Sequence, residues 1–560
     1  TKSGITYDSW RFWWAYNCDD ILNLRRNDLG VVTDANPLSA GKADQSNRRN
    51  PLRPTQYLVA RIVLPALKAC IDRRDEHEDV HGGAIIAAAK LGGSDLVPLF
   101  GDVLANKRTD SGGNRIDYGP QARESAVLAL GLVPSLDDLA RGQARRILLD
   151  AVANDALRTR ERTWAAVALG LRRDTDAVPA LLDLLEARYA DDNVPAGIVV
   201  GLGLAGDPRA RADLEDIFVH GRFRGKDVPS RVRPFAGYAL GKLGDVDALP
   251  AVLKLLGSRR AGALVTRSAA VAAGALGENA NDAQKADATD AVLRALRSNS
   301  DLTTRNFLLI ALGRIGTEPA LLALLEEAEN GQPASRPFAA LGLGTCVFYA
   351  DRAARENRAA PMDASLRKRI VDRLAQLSSK LRDTEVRSAF LLARGLVKDK
   401  TAVDDLLPIV RGPGDATLRG FACVSLGLLD DTSAAVKDAL HSALQERGSA
   451  DLRRDAATGL SLLRDAGTVP QLLDELHEAT SFAVQAQLVA AVGTIGDERA
   501  LTPLVTLLQD RAQAASVRAL AAVGLGLIGD PRPLPPLSRL SRDYNYRASV
   551  GDLDELLYIF

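Results

Sequence analysis

The chain has 560 residues, 46% of them hydrophobic but only 5% aromatic, with 71 basic against 71 acidic side chains. A core of Leu, Ala and Val favours close-packed helices over a β-sandwich, and no β-branched runs bounded by turn signals appear, so no strand is expected. A pI near 6.9 argues against a nucleic-acid partner, which would call for a basic stripe, and no apolar run approaches the ~18 residues of a membrane span.

In chain order, the first predicted element is a helix over Trp10-Arg11-Phe12-Trp13-Trp14-Ala15-Tyr16-Asn17, which holds three of the four tryptophans. It reads as a cap over a terminal hydrophobic face; alternatively, Trp13 and Trp14 anchor a partner, as exposed aromatics do at interfaces. The chain opens on Thr1, which either a cleaved export signal or a disordered leader would explain. Residues 27–54 form a polar loop rich in Pro, Asn and Arg. His77-Glu78-Asp79-Val80-His81 matches H-E-x-x-H, a spacing that places two imidazoles one helical turn apart for zinc. Here Gly82-Gly83 follow directly, the motif straddles a loop and a helix start, and no third ligand is evident, so no metal is expected.

From there an internal repeat dominates, and it outranks every other signal. Phrases such as ALGKLGD (239–245), ALGRIG (311–316), GTIGD (493–497) and GLIGD (526–530) recur. Taking the first glycine as anchor gives Gly131, Gly170, Gly203, Gly241, Gly274, Gly313, Gly344, Gly395, Gly427, Gly493 and Gly526, with Ala89 and Ser461 in two weaker copies. Spacings near 31–34 residues leave room for two helices of about three turns each. Eight residues before the anchor stands Arg123, Arg162, Arg233, Arg305, Arg336, Arg387, Arg419, Arg453 or Arg518. Four residues after it stands Asp174, Asp207, Asp245, Asp399, Asp431, Asp465, Asp497 or Asp530. The small anchor lets the first helix pack closely, and the Asp N-caps the second. The Arg lies where the preceding second helix ends and can meet its exposed carbonyls.

These units resemble HEAT repeats, in the short form also found in phycobilin-lyase-type proteins, over about residues 79–540. The resemblance implies an all-α solenoid, a right-handed superhelix of about thirteen helix pairs, with the second helices on the concave face. The opening aromatic segment and the closing Asp543-Tyr544-Asn545-Tyr546 and Leu556-Leu557-Tyr558-Ile559-Phe560 resemble the ends of uncharacterised HEAT-repeat proteins of planctomycete-type bacteria, which implies export and an extracytoplasmic home. The expected organisation is a capping region over 1–78, the solenoid over 79–540 and a capping tail over 541–560. At 8–10 Å per helix layer the open stack would span roughly 100 Å.

Five insertions interrupt the repeat: 27–54, 106–121 (turn-rich, expected mobile), 220–234, 278–287 and 346–365. In solenoids such insertions fall on loops, often of a binding face. The loop 220–234 concentrates Arg222, Arg224, Lys226, Arg231 and Arg233; it could grip an acidic protein, a phosphate or a lipid headgroup, although isolated charge runs are usually solvated. The gap of 51 residues between Gly344 and Gly395 is the widest interruption.

Remaining motif matches carry little. Gly201-Leu202-Gly203-Leu204-Ala205-Gly206 and Gly524-Leu525-Gly526-Leu527-Ile528-Gly529 fit G-x-G-x-x-G, but at helix ends rather than after a strand. His77-Glu78 and His477-Glu478 are too few for a di-iron HEAT hydroxylase. Cys346 and Cys423 read as buried hydrophobes; Cys18 and Cys70 could pair in an oxidising compartment. The reading is a non-catalytic scaffold or structural subunit without cofactor, which binds another protein, either alone or as part of a larger assembly. The alternative is a metal- or phosphate-dependent enzyme near His77, His81 and the 220–234 loop.

Overall fold

Each anchor glycine marks a place where two helix backbones touch. In the computed structural model, which describes residues 9–22 and 53–530 apart from 135, 259, 358, 447, 464 and 466, a Cβ added at Gly203 would lie 2.4 Å from the Ala239 Cα, and one at Gly313 2.4 Å from the Gly342 carbonyl oxygen. Only glycine admits such an approach.

The helices run as follows. α1 (Trp10–Leu22) precedes α2 (Gln56–Leu58) and α3 (Leu64–Ile71), which are joined by the π-helical turn Val59–Val63. Then come α4 (Glu78–Leu91), α5 (Val97–Leu104), α6 (Pro120–Leu132), α7 (Asp138–Ala153), α8 (Thr159–Leu171), α9 (Val178–Leu185), α10 (Asn193–Ala205) and α11 (Arg211–His220). Past a hairpin of β1 (Arg222–Phe223) and β2 (Lys226–Asp227) lie α12 (Val232–Leu243), α13 (Leu249–Leu256), α14 (Ala263–Glu278), α15 (Asp282–Ser298), α16 (Leu302–Ile315) and α17 (Glu318–Asn330). They continue with α18 (Arg336–Arg355), α19 (Ala364–Lys380), α20 (Thr384–Leu396), α21 (Val403–Arg411), α22 (Ala416–Leu429) and α23 (Ala434–Gln445). The last are α24 (Ala450–Leu462), α25 (Thr468–Glu478), α26 (Phe482–Ile495), α27 (Leu501–Gln509) and α28 (Ala515–Gly529). The protein is an all-α solenoid. The hairpin, in which Arg222 pairs with Asp227 and Phe223 with Lys226, departs from the expectation of no strand.

The even-numbered helices α4 to α28 carry the anchors, and each packs on the next. The odd-numbered helices stand outside them. This reverses the expected placement of the second helices on the concave face. The physical reason is side-chain size. Every residue of α10 from Val194 to Ala205 is buried among glycine, alanine and valine contacts, whereas α13 buries only Leu249, Val252, Leu255 and Leu256. The layer with small contacts has the shorter circumference, so it curves inward.

The curvature closes. α28 packs directly on α4: a Cβ at Gly526 would lie 3.1 Å from the Ala87 Cα, and one at Gly83 3.1 Å from the Ala519 carbonyl oxygen. The stack is therefore a ring, not an open superhelix of roughly 100 Å with capped ends. Thirteen inner helices at 8–10 Å spacing make a circle of about 35 Å across their axes.

The seam is completed from the N-terminal side. α3 occupies the place of the second helix of α28, and its Leu64-Pro65-Ala66-Leu67 copies Leu249-Pro250-Ala251-Val252 of α13 and Val178-Pro179-Ala180-Leu181 of α9. Within ordinary pairs the inner-helix Arg reaches a Glu of its own second helix, as in Arg305–Glu327 (3.1 Å) and Arg453–Glu475. At the seam Arg518 donates to both oxygens of Glu76, just past α3, at 2.7 and 2.6 Å. Arg511 reaches Asp75 at 2.6 Å. The segment 56–71 is thus part of the ring rather than a separate cap, and the tail 541–560 lies outside the described residues.

Other insertions are absorbed. The 106–121 excursion folds back through a bridge between Thr109 and Arg115, and the Tyr118 hydroxyl donates to the Ile71 carbonyl at 2.9 Å while Arg108 meets Asp72. Asn281 and Gln284 form a capping box at the start of α15.

Two predictions follow from this packing. Gly203→Ala should destabilise by about 1–3 kcal/mol through overpacking, whereas Gly142→Ala, in α7 with nothing within 4 Å of the added Cβ, should be neutral or stabilise by up to about 1 kcal/mol; parallel denaturant titrations compare the two. At the seam, burial alone would raise the Glu76 pKa, but Arg518 and its hydrogen bonds bring it below the ordinary value. A carboxyl depressed in the folded state contributes stability above its unfolded pKa of about 4.3 and loses it as pH falls through the folded value. Amide protection factors over residues 56–71 should therefore fall on acidification below about pH 4, and Glu76→Ala should lower them at neutral pH, costing about 3–5 kcal/mol locally by leaving the buried Arg518 charge without its carboxylate.

Candidate protein-docking surface

The repeated arginines hold successive pairs together. Arg233 donates to the Phe218 and Val219 carbonyls at 2.7 Å, Arg305 to Leu296 at 2.6 Å, Arg419 to Val410 at 3.1 Å and Arg518 to Leu508 at 2.8 Å. Each thereby satisfies the carbonyls that the end of an outer helix leaves open. Arg387 makes no such bond among the described residues, and its Nε, like those of Arg123 and Arg305, is buried without a hydrogen-bond partner.

The repeated aspartates accept from the backbone N–H two residues on: Asp207 from Arg209 (2.9 Å), Asp245 from Asp247 (3.1 Å) and Asp497 from Arg499 (2.9 Å). Each caps a single 3₁₀ turn, such as Pro208–Ala210 or Val246–Ala248, and the α-helix begins only after it. Asp530 is buried beside Arg53. The second glycine of the phrase has its own role. Gly206 (φ 72°) and Gly496 (φ 75°) end their helices in the left-handed conformation.

The two nucleotide-like glycine phrases are thus helix contacts and caps. The H-E-x-x-H residues are also committed to the fold. The His77 Nδ1 accepts from the Asp79 N–H at 3.1 Å as an N-cap. His81 is buried, which lowers its pKa, and its Nε2 meets the Arg73 carbonyl at 3.0 Å. None of the four cysteines is in a disulfide, so Cys18 and Cys70 are not bridged.

The basic loop is largely neutralised within the chain. Arg222 meets Asp227 (3.1 Å), and Arg224 meets Asp183 (3.3 Å) and Glu186 (3.0 Å) while lying over the Phe223 ring. Lys226 is exposed on β2, and Arg231 precedes α12.

Trp13 and Trp14 are buried along with Trp10, Phe12, Cys18 and Ile21. α1 lies against the inner wall. The Trp10 ring is 4.8 Å from that of Phe421 in α22, and Arg11 is 3.7 Å from Glu385 in α20, whose carboxyl burial pushes upward in pKa. The helix read as a terminal cap is instead seated against helices of the ring interior.

The outer wall carries a groove between α17 and α19. α18 runs 20 residues to Arg355, and α19 starts only at Ala364, capped by Asp363. No Gly-x-x-Gly-Asp phrase sets the start of α19, and a groove of about 920 Å³ separates it from α17. The comparable groove between α13 and α15 is about 320 Å³.

Leu322, Leu325, Glu326 and Glu329 line one wall, spaced along one face of α17. Ser365, Lys368, Arg369, Asp372, Arg373 and Gln376 line the other along α19. Leu322 is 37% exposed, although large and apolar. Arg373 pairs with Glu329 and ties the walls at one end. The sequence signal for this site is the 51-residue anchor gap; among its lining residues Ser365 and Lys368 fall in an S-x-x-K match whose companion motifs are missing, and the others carry no motif.

Residues 469–550 match the family model for HEAT repeats, and residues 161–187 that for the PBS lyase HEAT-like repeat. The chain carries HEAT repeats. Protein YibA of Escherichia coli (strain K12) is 26% identical over 134 residues, 24% of this chain and 46% of YibA. The bilin biosynthesis protein PecE of Nostoc sp. (strain PCC 7120 / SAG 25.82 / UTEX 2576) is 39% identical over 62 residues, 11% of this chain and 24% of PecE. The chain thus spans about half the length of one curated relative and a quarter of the other. Among solved structures, Kap121p is similar at 12% identity over 84% of this chain and 53% of its own, with a TM-score of 0.37.

Phe421→Ala should release α1 from the wall at a cost of about 3 kcal/mol. Three of the four tryptophans sit on α1, so their emission should shift to the red while the exchange protection of residues 56–71 stays unchanged.

Proposed function

We propose that this HEAT ring is a non-catalytic scaffold that binds another protein on its outer wall. The observation that supports the reading is the α17–α19 groove, where an exposed leucine, a row of carboxylates and a row of cations face solvent together. Elsewhere the conspicuous charged residues serve the fold, whether in capping, in ending helices or in pairing across the hairpin. The partner is expected to bind by shape, a few apolar anchors and charged rims.

The reading is tested by cross-linking the protein in its native extract and mapping joined peptides by mass spectrometry. A partner protein joined through Lys368 or Lys380 on α19 supports it, and Leu322→Asp should then weaken that complex at least tenfold. Purified protein that carries stoichiometric metal or phosphate ligand and joins no partner would overturn it in favour of an enzyme.

A further inference from the structure

The same groove constrains what kind of partner segment it accepts, and this inference rests on the scaffold reading. We infer that the α17–α19 groove takes an amphipathic helix of about three turns, with a leucine-type ridge flanked by carboxylates on the side facing α19 and by a cation on the side facing α17.

The length comes from the walls. α17 has 13 residues and at 1.5 Å per residue is about 20 Å long, so a helix laid along it makes about three to four turns. The helical form comes from backbone chemistry. Outer helices satisfy their own N–H and C=O groups, and neither wall offers a strand edge to an incoming chain. An extended peptide would desolvate its backbone without partners, whereas a helix brings its own hydrogen bonds. Two parallel helices set apart also present the ridges and groove into which a third fits.

The charges come from the walls as well. On α19, Arg369 is exposed and has no ion pair or hydrogen bond among the described residues, and Lys368 is held only by Asp372 of its own helix. On α17, the Glu326 carboxylate accepts only the Asn330 amide, at 2.9 Å. A carboxylate facing Arg369 and a cation facing Glu326 would complete both, and the apolar ridge would cover Leu322 and Leu325. These contacts are solvent-accessible, so they select and orient the partner more than they tighten it, and they weaken with salt.

A fluorescein-labelled 14-residue helical peptide, with a leucine ridge, Glu on one flank and Lys on the other, is the probe, titrated against the full chain by fluorescence anisotropy. A control carries Gln on both flanks. The charged peptide should bind at least tenfold more tightly than the control at low salt. Arg369→Glu and Glu326→Lys should each reduce that preference about tenfold. The double variant should restore it, because a helix turned end for end presents its flanks exchanged. Equal binding of the two peptides, no saturation below 1 mM, or failure of the double variant to restore binding would overturn the inference. Displacement of the peptide by millimolar inorganic phosphate, with loss of the Gln control's binding, would also overturn it in favour of an anion site, and self-association abolished by Arg369→Glu would do so in favour of a second copy. A native partner cross-linked elsewhere on the ring would leave the scaffold reading standing while this inference failed.

Discussion

Backbone contact at the anchor positions is the constraint on which the rest of the molecule depends. Where a Cβ at Gly203 or Gly313 would lie 2.4 Å from a neighbouring backbone atom, nothing larger than glycine keeps the inner helices at their spacing. The outer layer, packed through Leu249, Val252 and Leu256 of α13 and their equivalents, cannot come as close. The mismatch between the two layers is a curvature, repeated thirteen times. The polar groups follow the same period: an Arg closes the end of one outer helix, and an Asp opens the next. Each pair is therefore completed by its neighbours, which is what lets a solenoid grow without a larger core.

Closure changes what the ends of such a stack require. An open solenoid exposes two terminal apolar faces and frays from them. Here α28 lies on α4, and α3 supplies the outer helix that α28 would otherwise lack. The Arg518–Glu76 pair then reproduces at the seam the bond that Arg305 and Glu327 make within one repeat. Nearest-neighbour stabilisation becomes cyclic, and no pair is terminal. The aromatic helix α1, freed from capping, packs its tryptophans against α22 and its neighbours from inside.

The insertions divide by what they touch. The 106–121 excursion is pinned to the end of α3, and the basic hairpin spends Arg222 and Arg224 on Asp227, Asp183 and Glu186. The stretch between α18 and α19 is different. Here α19 is capped by Asp363, eight residues past the end of α18, and a groove of about 920 Å³ lies between α17 and α19. The widest interruption of the repeat thus adjoins an accessible groove with opposed charges on its walls.

Much of this was legible in the residues themselves. The thirteen anchors, the arginine at minus eight and the aspartate at plus four are local signals, because each acts within one pair or on the next. They determined the helices, their caps and their register. The lining of the α17–α19 groove was not legible beyond the long anchor gap, since Leu322, Glu326 and Arg369 look like any amphipathic outer face until their neighbour moves away. Which helix layer faces inward, that the ring closes, that Leu64-Pro65-Ala66-Leu67 completes a pair begun at Ala515, and where α1 lies were decided only by the tertiary structure. Those features depend on small rotations summed over thirteen pairs, and on contacts between residues more than 400 positions apart, such as Glu76 and Arg518, which no local pattern encodes.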